Sequence, residues 1–387
     1  MAIPGTFEVL ARDPAGPARR GRLHTAHGVV ETPAFMPVGT QGTVKGMAPD
    51  ELEAMGYDVV LGNTYHLHRR PGDETIAALG GLHKFMGWKR TILTDSGGYQ
   101  VFSLSKLRKL SDEGVEFQSP YDGTWANLTP EIAMAIQLRL GSDVAMVLDE
   151  CSPYPCDRET ACQAVDRTVQ WAARCARQPR VDGGLVFAIV QGSTYADLRA
   201  RCAKALTEIG FDGYAIGGVS VGEPDALILR GIEDSVGHLP ADRPRYAMGV
   251  GLIPQIVELV ARGVDLFDCV IPTRLARHGS AFTAAGRYPV KAAVFERDPR
   301  PIEEGCGCPA CRTFSRAYVR HLLNVNEMLG VRLLSTHNLH RYAEFMREMR
   351  TSLDRGSFEG FRRKVGGTYR DPTDEYEALK KEGDEPE

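Results

Sequence analysis

A chain of 387 residues, 43% of them hydrophobic and 25% charged, carries enough apolar matter for a substantial core and none of the bias of a disordered or fibrous protein. A formal net charge of -4 excludes a uniformly basic nucleic-acid binder, so any nucleic-acid surface must be a local patch. The opening MAIPGTFEVLARDPAGPARRGRLH lacks the apolar run of a signal peptide, and no later run approaches the roughly 18 apolar residues of a membrane span, so the expected location is the cytoplasm with no membrane partner.

Between Phe7 and Val30, short β-like stretches around Pro and Gly predict an N-terminal hairpin ahead of the main body. Short apolar runs suited to buried parallel strands then recur at 34–38, 58–62, 91–94, 144–149, 185–190, 214–218, 245–249 and 266–270. Helical segments separate most of them, among them APDELEAMG, TPEIAMAIQLRLG, YADLRARCAKALTEIG and IPQIVELVARG. Alternation of this kind predicts an α/β fold, a (β/α)8 barrel of the TIM type. An open doubly wound sheet is the runner-up, but no Gly-x-Gly-x-x-Gly follows the first strand. An insertion is expected after the third strand, within residues 97–128, with Asp122-Gly123 as a hairpin turn. After the eighth strand come a cysteine cluster and a helical stretch, RTFSRAYVRHLLNVNEMLG. The expected organisation is a catalytic barrel over 1–290, a cysteine-bearing subdomain over 291–365 packed on it, and a flexible tail over 366–387 that ends in GDEPE.

In such a barrel the chemistry sits at the carboxyl ends of the strands. The third ends at Asp95, the fourth at Asp149, the fifth at Gln191, the sixth at Gly217 and Gly218, and the seventh at Met248; the eighth carries Asp268. A single Asp at a strand end is as readily a cap as a catalyst. Here each follows apolar residues with no adjacent base, so the three are expected to converge as desolvated carboxylates with spread pKa values. Glycosyl chemistry needs that division between an ionised nucleophile and a proton carrier. The glycine pairs at 97–98 and 217–218 serve tight βα turns, and beside an acidic pocket they also let backbone amides approach a flat ligand. Tyr99 and Met248 are either ordinary packing or the two faces of a sandwich for an unstacked base.

Nine cysteines are too scattered for a disulfide framework, apart from Cys306, Cys308 and Cys311 in a Gly/Pro-bent loop. Their spacing predicts a structural zinc site with a fourth ligand in STHNLH, either His337 or the competing His340. Arg274, Arg277 and His278, with Lys291 nearby, form a basic cluster just after Asp268, placed to hold phosphates or unpaired bases.

DSGGYQVFSL (95–104), LDEC, VQG (190–192), YAIGG (214–218), FDCVIPTR (267–274) and CGCPAC with the later His337 together resemble the bacterial tRNA-guanine transglycosylases, also called queuine tRNA-ribosyltransferases. The resemblance runs from about Phe7 to Arg350. It implies exchange of the wobble guanine of GUN-anticodon tRNAs (Asp, Asn, His, Tyr) for 7-aminomethyl-7-deazaguanine. It further implies Asp268 as the nucleophile of a covalent intermediate and Asp95 as general acid/base. Asp149, Gln191 and the Gly218 backbone match the base-recognition groups, with Tyr99 and Met248 on the ring faces. Cys306, Cys308, Cys311 and His337 match the zinc ligands, and the family is homodimeric. Cys151 and Val221 also match the bacterial form; a β-branched Val beside the aminomethyl group, expected at the packed end of the sixth strand, is expected to exclude the larger base queuine. Val219-Ser220 and Leu252-Ile253 depart from the usual family residues.

Rival readings are a non-catalytic tRNA-binding subunit, which the presence of both Asp95 and Asp268 disfavours, and an archaeal-type deazaguanine exchange, which usually carries extra C-terminal RNA-binding domains. A metal-dependent barrel hydrolase lacks His-x-His and Lys ligands in the strands.

Overall fold

The computed structural model describes residues 3–104, 107–119 and 123–369. Eight parallel strands close into a barrel: β1 (Ala34–Gly39), β2 (Val59–Gly62), β3 (Thr91–Thr94), β4 (Val144–Met146), β5 (Leu185–Val190), β6 (Gly213–Ile216), β7 (Arg245–Ala247) and β8 (Leu266–Cys269). Closure is made by β8 against β1, with Asp268 opposite Met36. The strands are near-continuous runs of Val, Ile, Leu and Ala because the packed interior covers one face and the helices the other, and β5 (LVFAIV) is buried at every position.

The helices follow the sequence signals. Thr129 caps Pro130–Leu140 by accepting from Ile132 N–H, with Pro at the first turn and left-handed Gly141 at the end. Asp157 caps Arg158–Cys175 through Thr160 N–H. None of the described helices is long and apolar enough to cross a membrane.

Three elements differ from the sequence expectation. The N-terminal hairpin is two-thirds of an antiparallel sheet whose strands are Phe7–Arg12, Arg19–Thr25 and Gly28–Thr32. The single helical stretch after the cysteines is broken into Pro309–Thr313, Arg316–Asn324 and the start of Met328–Asp354. Ser315 starts a new cap on Tyr318 N–H, and Asn326 takes a left-handed φ of 57°. The last helix, Phe358–Thr368, reaches into the stretch expected to be tail, held by buried Phe358 and by Phe361 against the core. Asp122 and GDEPE lie outside the described residues, but the insertion is present as a three-stranded sheet, with Val115–Gln118 and Trp125–Leu128 paired across the expected turn.

A second, smaller core joins Ala276, Ala281 and Val290 to Cys308, Val319, Leu322 and Leu334. Helix Met328–Asp354 links the two cores: Leu333 and Leu334 lie in the small one, whereas Leu339, Tyr342, Phe345 and Met349 pack with the barrel.

Candidate active site

Several barrel strands deliver polar groups to the carboxyl-end mouth. Asp95 follows β3 directly and is 8% exposed. It accepts from Thr64 N–H at 2.8 Å, from Gln100 Nε2 at 2.8 Å, and from Asn63 Nδ2. Burial pushes its carboxyl up to about 6 against those three donors, and the Asp268 charge adds to the rise. Asp268, in β8, is partly accessible; its Oδ1 accepts from the Tyr246 hydroxyl at 2.6 Å and from Gly249 N–H at 2.7 Å. Burial raises its pKa as well, and the same two donors oppose the rise.

Asp149 is 6% exposed, two residues before Cys151. Burial pushes it up to about 6, opposed by Gln191 Nε2, which donates to Oδ2 at 2.7 Å. Gln191 Oε1, buried in the same place, has no hydrogen-bond partner. Around this pair the chain needs glycine: a Cβ on Gly217 would stand 2.6 Å from Gln191 Nε2, and one on Gly218, whose φ is +60°, 2.6 Å from Gln191 Oε1. The glycines thus serve the turn and leave room for the Gln191 side chain. Cys151 borders Asp149, Gly218 and Gln191, and burial pushes its thiol up to about 12, so it stays protonated. Tyr99 stands next to Cys151 and is 52% exposed, with its ring at the opening. Met248 is half-buried at the end of β7, its N–H on Ile216 O. Among the described residues, none of the three carboxylates makes an ion pair.

Val221 is not on a packed strand end. It is half-exposed on the loop beyond β6, where Glu223 accepts from Ser220 N–H and, at 2.8 Å, from Val221 N–H. Ser220 carries a left-handed φ of 59° and donates to Gly249 O, which ties this loop to the one that holds Asp268. Arg274 and Arg277 are exposed on the helix Ile271–Arg277 that follows β8, one turn apart and without an ion pair among the described residues. Burial and the neighbouring Arg274 charge lower the Arg277 pKa. His278 Nδ1 turns back to Arg274 O, and Lys291 lies over Gly279 beside it.

Several site groups escaped the sequence reading. Asn63 ends β2 as Asp95 ends β3; Tyr246 shares its strand face with Met248; Gln100 lies in the same motif as Asp95. Position and period at strand ends were the available signal for Asn63 and Tyr246, and closeness in sequence to Asp95 for Gln100.

At the far end of Met328–Asp354 from the barrel core, Cys306, Cys308, Cys311 and His337 converge and could hold a metal ion. His337 Nδ1 lies 3.7, 3.7 and 3.3 Å from the three sulfurs. Tetrahedral zinc with ordinary Zn–S and Zn–N bonds gives an S···N edge of about 3.6 Å, so the set is consistent with zinc. His337 Nε2 donates to Phe282 O at 2.7 Å, which leaves the Nδ1 lone pair toward the thiols. His340 is turned to Glu344, 3.3 Å away, which decides between the two candidate histidines.

With this geometry in place, comparison with known proteins is decisive. A family model described as Queuine tRNA-ribosyltransferase matches residues 13–371. This chain belongs to the queuine tRNA-ribosyltransferase family. Relatives of that name from Symbiobacterium thermophilum and Desulforudis audaxviator are each 54% identical, over 92% of this chain and 90% and 96% of their own lengths. One from Nitratidesulfovibrio vulgaris is 51% identical over 95% of this chain and 98% of its own. Queuine tRNA-ribosyltransferases are tRNA-guanine transglycosylases, and membership makes this chain an enzyme of that class.

The buried acids yield a stability prediction. Asp149 carries a folded pKa of about 6 against an ordinary 3.8, so the fold favours its protonated form. That preference is satisfied at low pH and lost as pH rises through about 6. Asp149→Asn should therefore stabilise the protein at pH 8, by up to about 3 kcal/mol, and not at pH 4. Thermal melts at the two pH values check it; equal shifts at both would contradict the desolvation argument.

Proposed function

We propose that the enzyme replaces the wobble guanine of GUN-anticodon tRNAs, those for Asp, Asn, His and Tyr, with 7-aminomethyl-7-deazaguanine through a covalent aspartyl-ribose intermediate. One observation carries the reading: among the described residues, both donors to Asp268 fall on Oδ1, which leaves Oδ2 to act as nucleophile. Oδ2 attacks the ribose anomeric carbon as its bond to the guanine N9 breaks, and guanine departs with the electron pair and a proton from Asp95. An acid with a pKa of about 6 suits that transfer and its reversal. The incoming base then gives its N9 proton to Asp95 and attacks the same carbon, and the bond to Asp268 breaks to restore the carboxylate.

Asp149 takes the N–H groups on the guanine edge, and Gln191 and the Gly218 amide complete it. The buried, unpartnered Gln191 Oε1 and the glycine-lined approach support this. Tyr99 and Met248 bracket the ring, and Arg274 and Arg277, exposed and unpaired, hold tRNA phosphates. Cys306, Cys308, Cys311 and His337 bind a structural zinc, since four protein ligands leave no position for an activated water. The barrel over 1–290 is the catalytic unit and 291–365 the zinc-binding one; the enzyme works in the cytoplasm, and the family resemblance supports a homodimer.

Asp268→Asn should bind unmodified tRNA yet form no covalent adduct and incorporate no labelled guanine. Adduct trapped in normal amount would move the nucleophile elsewhere.

Zinc removal tests the second core. Native protein should hold one zinc per chain, and Cys308→Ser should lose it together with protection of the region around residues 291–340 in hydrogen exchange. A metal-free variant with native melting and activity would contradict a structural role.

For the choice of base, Cys151 and Val221 are the contacts to the aminomethyl side. Crowding of a larger substituent costs about 1–3 kcal/mol, roughly 5- to 150-fold, provided that the Glu223 clasp keeps Val221 in place. Queuine should thus displace labelled guanine poorly, and Val221→Gly should narrow the gap. Equal efficiency of both bases in the unmodified enzyme would refute the steric reading.

A further inference from the structure

The buried cation nearest the base pocket takes no part in the mechanism above. Arg199 lies on the helix Ala196–Ile209 that follows β5, and it is 1% exposed. Among the described residues it has no ion pair. Its donors go to neutral oxygens: Nε to Ser193 O at 2.6 Å, Nη1 to Gly217 O at 3.1 Å and Ser235 Oγ at 3.5 Å, and Nη2 to Gly218 O at 3.0 Å. Burial pushes its pKa down to about 10, which leaves it charged at neutral pH. The chain makes room for this side chain. A Cβ on Gly192 would stand 2.8 Å from Arg199 Cγ, and one on Gly231 would stand 3.2 Å from Nε.

A buried guanidinium without a carboxylate is costly, so its placement calls for an account. In a planar trans peptide the C=O and the following N–H point in opposite directions. By holding Gly217 O beneath the loop, Arg199 turns Gly218 N–H the other way, toward Cys151 and the Asp149–Gln191 pair. By holding Gly218 O it does the same for the next amide.

We propose that Arg199 is a positioning residue for base recognition: it fixes the two carbonyls beneath the loop after β6 so that the Gly218 amide faces the exchanging base. It thereby sets base affinity and leaves the Asp268 and Asp95 chemistry alone. The inference rests on the base site proposed above.

Labelled-guanine exchange on unmodified tRNA tests it with Arg199→Met, Arg199→Lys and Gly231→Ala. The last variant favours its helix, and the three atoms nearest its added Cβ all belong to the Arg199 guanidinium, Nε at 3.2 Å and Cζ and Nη2 at 3.3 Å. Arg199→Met should raise the KM for guanine tenfold or more, with the KM for tRNA and kcat at saturating guanine within about threefold of the parent. Arg199→Lys should fall between, and Gly231→Ala should raise the guanine KM several-fold. Should Arg199→Met not fold, the other two decide. Unchanged guanine KM in folded Lys and Gly231→Ala variants would overturn the proposal, and so would a parallel loss in kcat and both KM values. If the parent protein exchanges no guanine, the base-exchange reading itself fails, which is a distinct result.

Discussion

Three carboxylates brought to one barrel mouth with no ion pair to any of them among the described residues are the constraint on which the active end of this molecule depends. Neutral donors hold them instead: Asn63, Gln100 and an amide on Asp95, Gln191 on Asp149, a hydroxyl and an amide on Asp268. Such donors offset desolvation only in part, and Asp95 and Asp149 stay near 6. An arginine in contact would have neutralised them in the sense of fixing the charge permanently, and Asp95 could not then take and give a proton near neutrality. The positive charge is kept outside, on exposed Arg274 and Arg277, or below, on Arg199 behind the glycine carbonyls.

This arrangement was legible in the sequence to the extent that it follows from period and position. Asp95 and Gln191 lie directly after barrel strands of four and six buried residues, and buried parallel strands have little other reason to stop at a polar residue; Gly217 and Met248 follow their strands in the same way. The cysteine spacing gave the metal cluster, but only geometry separated His337 from His340, since both lie on one helix within a turn. Val221 was placed in the right loop with the wrong support: nothing in its neighbours showed that Glu223, two residues on, would hold the backbone. Arg199 carried a signal that went unread. It falls in line with Cys202, Ala203 and Leu206 on the buried stripe of its helix, where a charge is expected only if a specific partner waits.

The metal-binding region and the barrel mouth share a single piece of secondary structure. Along Met328–Asp354, His337 reaches the three thiols and Phe282 O, and Asn338 takes Phe282 N–H and donates to Pro272 O in the helix after β8. A turn later the Tyr342 hydroxyl donates to Gly251 O at 2.6 Å. Gly251 packs so closely on Cys269 that a Cβ there would stand 2.2 Å from the Cys269 Cβ. The helix therefore fastens the segments on both sides of Asp268.

Backbone groups are poor at orienting themselves, because a loop amide can turn about φ and ψ at little cost, most of all at glycine. The Gly249 amide that donates to Asp268, and the Gly218 amide proposed to meet the base, must therefore take their rigidity from elsewhere. The outer helices supply it: Arg199 from Ala196–Ile209 beneath the β6 loop, Tyr342 beneath the β7 loop, Asn338 beneath the helix after β8. Each anchor is a buried side chain from a regular element whose donor ends on a carbonyl. For Arg199 the amide of the same peptide points the opposite way, so fixing Gly217 O also fixes Gly218 N–H; Tyr342 and Asn338 steady the chain on either side of the Gly249 amide and Asp268. Orientation is thus settled when the chain folds, before any ligand arrives, and the glycines keep the space that the ligand requires.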